Sequence, residues 1–144
     1  MAGIYIHIPF CKQACHYCNF HFSTNLRNQG AVVEAMLKEL ELQADYLEGA
    51  PLDSIYLGGG TPSLLRSEEL AVLFQQISTL HKVQPDAEIT LEANPDDLTA
   101  EKLAQLRDTP INRLSIGIQS FSDVDLQFMN RAHNANEAAR CIDL

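Results

Sequence analysis

No stretch of this 144-residue sequence approaches the roughly 20 consecutive apolar residues that a transmembrane helix needs, so a membrane-spanning role is not expected. The opening Met-Ala-Gly-Ile-Tyr-Ile-His-Ile runs straight into a strand-like pattern without a basic leader, and no export signal is read there. Basic residues are scarce. Ten Lys and Arg stand against nineteen Asp and Glu, for a net charge of −9, which argues against a surface that tracks nucleic-acid phosphates. The acidic balance specifies little else, because acidic solvated faces are common. Internal repeats and low-complexity linkers are missing as well. With 46% apolar residues at this length, the chain reads as one domain or part of one. Cysteines number four, and without a secretory signal they do not suggest a disulfide framework. Reduced thiols fit a cytoplasmic setting.

What the sequence does have is concentrated. Three of those cysteines lie in Cys11-Lys-Gln-Ala-Cys15-His-Tyr-Cys18, spaced C-x3-C-x2-C, directly after the strand-like run Tyr5-Ile-His-Ile-Pro9-Phe10. Three thiolates on one loop can hold three irons of a cubane and leave the fourth without a protein ligand. An electron-transfer cluster normally has four cysteines, so an open iron points to a small-molecule ligand. The pattern resembles that of the radical S-adenosylmethionine (SAM) enzymes. That resemblance implies that the amino and carboxylate groups of SAM chelate the open iron. Two other readings stay open. A structural zinc site wants four ligands; His16 or His21 could supply the fourth, but no second cysteine pair lies elsewhere. The thiols could also be unligated. Cys141 stands apart on a predicted helix, where a buried, inert cysteine is the default.

Along the chain, strand and helix patterns alternate. Strands are predicted over Ile4–Ile8, Ser54–Leu57, Glu88–Ala93 and Arg113–Gln119. A helix from about Ala31 to Leu47 places Val33, Met36, Leu37, Leu40, Ala44 and Leu47 on one face, with Gly49 and Pro51 ending it. Ser67 is the expected N-cap of a second helix carrying Glu68 and Glu69 in its first turn. Thr99 caps a third, Ser122-Asp123 opens a fourth through about Met129, and Asn136–Leu144 begins another. Four βα units imply a parallel sheet in an α/β fold.

Parallel strands covered on both faces usually read as continuous aliphatic runs, but these alternate. Ile4, Ile6, Ile8, Ile55, Leu57, Ile89, Leu91, Leu114, Ile116 and Ile118 supply one face. Tyr5, His7, Ser54, Tyr56, Thr90, Glu92, Ser115, Gly117 and Gln119 supply the other. The polar face is expected to line a lumen, with Glu92 and Gln119 at the strands' C-terminal ends, where βα-barrel sites are built. Gly58-Gly59-Gly60-Thr61-Pro62 follows the second strand on the same rim. Three glycines could form a generic turn, or could let the backbone approach a ligand; without a following G-K-[ST] they are not a Walker loop.

Four ordered segments, Tyr5-Ile-His-Ile-Pro-Phe-Cys11, Gly58-Gly-Gly-Thr-Pro62, Leu91-Glu-Ala-Asn-Pro95 and Ser115-Ile-Gly-Ile-Gln-Ser-Phe121, with Arg131-Ala-His133 after them, resemble the oxygen-independent coproporphyrinogen oxidase (HemN) group. That group also contains the HemW-type haem chaperones. The resemblance implies a partial parallel (βα) barrel of radical SAM type, with four of an expected six βα units present. Residues 1–144 would be the N-terminal part of that core domain. It further implies that Cys11, Cys15 and Cys18 hold a [4Fe-4S] cluster with Tyr17 packed beside it. Gly59, Gly60 and Thr61 would contact the methionyl part of SAM, Tyr5 would lie in the same pocket, and Glu92, Gln119 and Arg131 match further SAM positions.

Two departures matter. The oxidases carry one more cysteine two residues beyond the third, where this chain has Phe20, and Cys18-Asn-Phe-His-Phe-Ser23 resembles the HemW branch instead. The HemW haem motif H-N-x-x-Y-W is not matched; His133-Asn134-Ala-Asn-Glu137-Ala138 shares only its first two letters. Two function classes follow from the resemblance. One is a haem-handling protein that binds a cluster and SAM and delivers haem to acceptors such as respiratory proteins. The other is an oxidoreductase that removes carboxylate from porphyrinogen propionates by radical chemistry. A third reading is a zinc-binding module.

Overall fold

The computed structural model of the chain describes residues 2–144. Four strands, β1 (Ala2–Ile8), β2 (Leu52–Gly59), β3 (Val83–Ala93) and β4 (Arg113–Ile116), pair in parallel in the order β1-β2-β3-β4. Between and after them run α1 (Gln29–Leu42), α2 (Ser67–Leu80), α3 (Ala100–Arg107), α4 (Asp123–Phe128) and α5 (Ala135–Asp143). Strand order never reverses, as in the wall of a βα barrel and unlike a doubly wound sheet, which has a switch point.

The alternation in the sequence becomes the two faces of this sheet. Ile4 pairs with Ile55 and Ile6 with Leu57, which in turn pair with Ile89 and Leu91, and Leu91 pairs with Leu114. Ile6, Ile8, Ile55, Leu57, Ile89 and Leu91 are buried, against Leu70, Leu73, Phe74 and Ile77 of α2 and Val33 of α1. Burying each such side chain contributes about 1.5–3 kcal/mol. The opposite face sets Tyr5 beside Tyr56 and Thr90, and Glu92 beside Ser115. Thr90 is buried all the same; its hydroxyl donates to Glu88 Oε1 and accepts from Arg113 Nη1, both at 3.2 Å.

Several boundaries differ from the sequence-based expectation. α1 ends at Leu42 rather than Leu47, because Ala44, Tyr46, Glu48 and Ala50 donate to carbonyls three residues back, tightening the chain into successive turns. Glu48 and Gly49 then reverse direction with φ of 51° and 78°. Ser67 is the first residue of α2, not its cap; Arg66 caps, and its backbone N–H donates to Glu69 Oε2 at 2.9 Å. Glu69 also accepts from Arg66 Nη2 at 2.9 Å and from Gln29 Nε2 at 2.8 Å, so a predicted first-turn acid is the buried joint between α1 and α2. Burial pushes its pKa up, but those hydrogen bonds and the Arg66 charge outweigh it and hold the carboxyl below its ordinary value. β4 stops at Ile116, not Gln119. Gly117 N–H still reaches Ala93 O at 2.8 Å, but Ile118 and Ser120 then donate two residues back and Gln119 takes a φ of 62°, turning the chain off the sheet. Among the described residues, no helix is long and apolar enough to cross a membrane.

Candidate cofactor site

The stretch from Cys11 to Asn25 contains no regular element beyond isolated turns and one bridge, and it is shaped by contacts from elsewhere. Its base is closed where Cys11 N–H donates to Ser23 O (3.0 Å) and Ser23 N–H to Pro9 O (2.8 Å). Within it, Cys18 N–H donates to Cys15 O at 3.1 Å, making the turn that brings those two cysteines to one side. All three thiols are free and partly exposed. Lys12 pairs with Asp96 (2.7 Å) and Asp97 in the 3-10 turn after β3. Burial opposes the Lys12 charge, but these carboxylates outweigh it and raise its pKa.

A cavity of about 350 Å³ opens at the C-terminal ends of β2, β3 and β4, under this loop. Cys11, Cys15 and Cys18 line it together with Tyr17. Gly59, Gly60 and Thr61 form one wall, and Glu92, Gln119 and Arg131 complete it. The structure thus gathers every site residue expected from sequence except Tyr5. That ring lies on the polar sheet face, stacked on Tyr56 at 5.9 Å between centroids, and lines a separate groove along β1. Register explains its place: Tyr5 pairs with Tyr56, two positions before β2's C-terminal Gly58-Gly59, and so sits one layer below the rim.

The glycine run that lines this cavity also has a backbone reason of its own. A Cβ on Gly60 would lie 2.6 Å from Phe10 O and 2.8 Å from Ile8 O. These are the acceptors of Thr61 N–H (2.7 Å) and Gly60 N–H (2.8 Å). Gly60 is therefore required by the protein's own backbone, which docks the β2 exit against the residue just before Cys11. Gly59 has φ 105°, and a Cβ there would meet the His7 ring at 2.5 Å.

Two opposite charges face the cavity. Glu92 accepts from Tyr56 OH (2.6 Å) and Gly59 N–H (3.1 Å), which fixes both its oxygens. That hydrogen bond, with burial and the carboxylate charge, raises the Tyr56 pKa. Arg131 donates from Nη2 to Asn94 Oδ1 and Gly117 O, both at 2.7 Å, and from Nη1 to Tyr17 OH (3.1 Å) and Cys15 Sγ (3.3 Å). One guanidinium thus ties the cysteine loop to the ends of β3 and β4. Burial pushes the Cys11 thiol up; Thr61 and Arg131 oppose this, while Cys18 and Cys15 add to it.

The donor set fits an iron–sulfur cluster with a zwitterionic ligand. Three thiols border one cavity, a carboxylate is available to an ammonium group, and the Arg131 guanidinium, its terminal N–H groups spent on protein acceptors, offers a carboxylate its charge. Arg131 Nε is buried with no protein partner. Among the described residues, no three His, Cys, Asp or Glu side chains converge to hold a single metal ion; a cubane asks something else, since each thiolate takes its own iron. Sequence reasoning missed Asn94, which holds Arg131 and donates to Thr61 Oγ1 at 3.2 Å, although it lies within the quoted Leu91–Pro95 segment. It also missed the Lys12 ion pairs, of which the one with Asp96 spans 84 residues.

Comparison with known proteins agrees with this geometry. The family model described as the radical SAM superfamily matches residues 5–144. The protein named "Heme chaperone HemW" of Escherichia coli (strain K12) is 38% identical over 99% of this chain and 38% of its own length. Its namesake in Bacillus subtilis (strain 168) is 41% identical over 95% of this chain and 37% of its own. "Radical S-adenosyl methionine domain-containing protein 1, mitochondrial" of Mus musculus is 34% identical over 98% and 32%. The solved structure of the Escherichia coli coproporphyrinogen III oxidase HemN, described as a radical SAM enzyme, superposes with a TM-score of 0.88 at 26% identity, over 98% of this chain and 33% of that one. The chain spans 38% and 37% of the two HemW sequences.

Proposed function

The chain belongs to the radical SAM superfamily, and on that premise we propose that it carries the cofactor-binding chemistry of a HemW-like haem chaperone. Such a protein binds a [4Fe-4S] cluster, SAM and haem, and delivers haem to acceptor proteins, here respiratory proteins reached from the cytoplasm. The observation that carries this reading is the identity to the two HemW chaperones, 38% and 41% over nearly the whole chain, against 26% to the oxidase. Phe20 supports it: it stands where the oxidases are expected to have a further cysteine, and it lines the cavity, largely exposed.

In this reading Cys11, Cys15 and Cys18 ligate three irons. The cluster, when bound, supplies an electron to the SAM sulfonium. Glu92 and Arg131 orient the amino acid end of SAM by charge, while Gly59, Gly60 and Thr61 form the wall behind it. Tyr17, held by Arg131 at 3.1 Å, covers the cysteine side. Gln119 lines the same cavity, and Tyr5 acts at one remove, by backing Tyr56 and hence Glu92.

The second reading is an oxygen-independent coproporphyrinogen III oxidase, favoured by the 0.88 TM-score to HemN. The two separate in one experiment. The protein as the cell makes it is reconstituted anaerobically, then given haem and an apo-cytochrome, and in parallel coproporphyrinogen III with SAM and reductant. Haem retention and transfer with no decarboxylated product is expected; decarboxylation without haem retention overturns the chaperone reading.

A further inference from the structure

Asn130 holds a backbone conformation that few side chains adopt, with φ 55°. The reason is local. It follows α4 and its C-cap Met129, and its N–H donates to Gln127 O (3.0 Å) while Arg131 N–H donates to Leu126 O (2.9 Å). This is the Schellman closure of a helix, which needs a left-handed residue at the first position past the cap. Glycine fills that position most often, and asparagine is the tolerated substitute. The cap explains the backbone and leaves the side chain unexplained.

That side chain faces the cysteine loop. Asn130 Oδ1 accepts from Gln13 Nε2 at 2.8 Å, and Asn130 Nδ2 donates to Ala14 O at 2.7 Å. Gln13 Nε2 also donates to Asn130 O at 3.0 Å. Next to it, His16 N–H donates to Met129 O (3.1 Å) and His16 Nδ1–H to Phe128 O (2.9 Å). The cap therefore grips the loop on both sides of Cys15. The residue after it is Arg131, whose guanidinium lies 3.3 Å from Cys15 Sγ. We propose that Asn130 is a positioning residue: its carboxamide fixes Gln13-Ala14 so that Cys15 is presented to the cavity beside Arg131. The role toward a cluster rests on the reading above, whereas the effect on the loop can be measured without iron.

Asn130→Gly separates cap from bridge, because glycine accepts the left-handed φ and removes only the carboxamide. In the iron-free protein, site-resolved alkylation by iodoacetamide should speed up at Cys15 by about tenfold, the expected consequence of losing two hydrogen bonds that hold the loop closed. Cys141, buried in α5, should react at the parent rate, and the far-ultraviolet circular dichroism should be unchanged. Gln13→Leu, which cuts the same link from the loop side, should act alike, and the double variant should fall short of the product of the two. In protein reconstituted with iron and sulfide, both single variants should lose iron to a chelator faster by a similar factor. Cys15 alkylation within twofold of the parent in both variants overturns the positioning role. A parent that takes up no iron overturns the cluster reading instead, and leaves the alkylation result to decide the loop.

Discussion

Gly60→Ala tests the claim that the glycine run docks β2 onto the approach to Cys11. Gly60, unlike Gly59, does not take a positive φ, so alanine is not excluded by backbone conformation, and the cost is steric. Its Cβ would lie 2.6 Å from Phe10 O, 2.8 Å from Ile8 O and 2.9 Å from Phe10 N. None of these is the movable end of a side chain, so the two segments must separate. Separation strains the hydrogen bonds Gly60 N–H to Ile8 O (2.8 Å) and Thr61 N–H to Phe10 O (2.7 Å). Overpacking costs roughly 1–3 kcal/mol and two weakened hydrogen bonds about 1–3 kcal/mol, so a loss of about 2–6 kcal/mol is expected. For a domain of this size that lowers the thermal midpoint by roughly 4–24 °C. Gly30→Ala is the matched control. Gly30 lies in the first turn of α1 with nothing within 4 Å of its Cβ position, so alanine should stabilise by about 0.4–1 kcal/mol. Urea unfolding of the iron-free protein reads both, and iron uptake should fall for Gly60→Ala only. A Gly60→Ala variant within about 0.5 kcal/mol of the parent, the range of an indifferent surface change, would refute the steric account.

Lys12→Met should destabilise by roughly 1–2 kcal/mol in urea, discounted because the Lys12 side chain is 40% exposed although that of Asp97 is only 4% exposed; adding Asp97→Asn should recover part of the loss. Because the Lys12 pKa is raised in the fold, its contribution is complete below the ordinary lysine value and fades as pH rises through the folded one, which an alkaline unfolding series will show. Glu69 runs the other way: its pKa is lowered from 4.5, so its contribution is present above that value and is lost as pH falls through the folded one. Glu69→Gln should flatten that acid limb. Glu92→Ala should bring the raised Tyr56 titration back down in ultraviolet difference spectra, and weaken the change SAM makes in the reduced cluster's electron paramagnetic resonance. Alanine at Cys11, Cys15 or Cys18 should abolish uptake of about four irons and four sulfides per chain while Cys141→Ala should not; stoichiometric zinc with no iron uptake would sink the cluster assignment.

Sheet and helices were legible because their signals are local. The alternation Tyr5-Ile6-His7-Ile8 states which face is buried, and register cannot slip by one residue without exposing Ile6 and Ile8. Thr99 was recognisable as a cap, and its hydroxyl accepts Lys102 N–H at 3.1 Å. Errors arose where tertiary contacts override local pattern. Glu69 reads as a helix-dipole acid, but Gln29 and Arg66 turn it into a buried joint. The apolar spacing of α1 runs on through Ala44 and Leu47, so periodicity alone cannot place the end at Leu42. Gln119 continues the alternation of β4 in sequence, yet its backbone has already turned off the sheet.

The cysteine loop is the extreme case, and it is where the chemistry lies. Its motif is conspicuous in sequence because three cysteines share eight residues, but much of its conformation is set from a distance. Lys12 reaches across 84 residues to Asp96, Gln13 across 117 to Asn130, and Cys15 across 116 to Arg131. No periodicity or capping rule couples positions so far apart. A short loop without helix or strand pays the ordering entropy of each residue with little hydrogen-bonding return of its own. The ion pair on one side of Cys11 and the capped turn of α4 beside Cys15 are what offset that cost. Thiol spacing written in eight residues therefore specifies which thiols can border the cavity, while their arrangement there depends on residues that by themselves look like ordinary turns and a helix end.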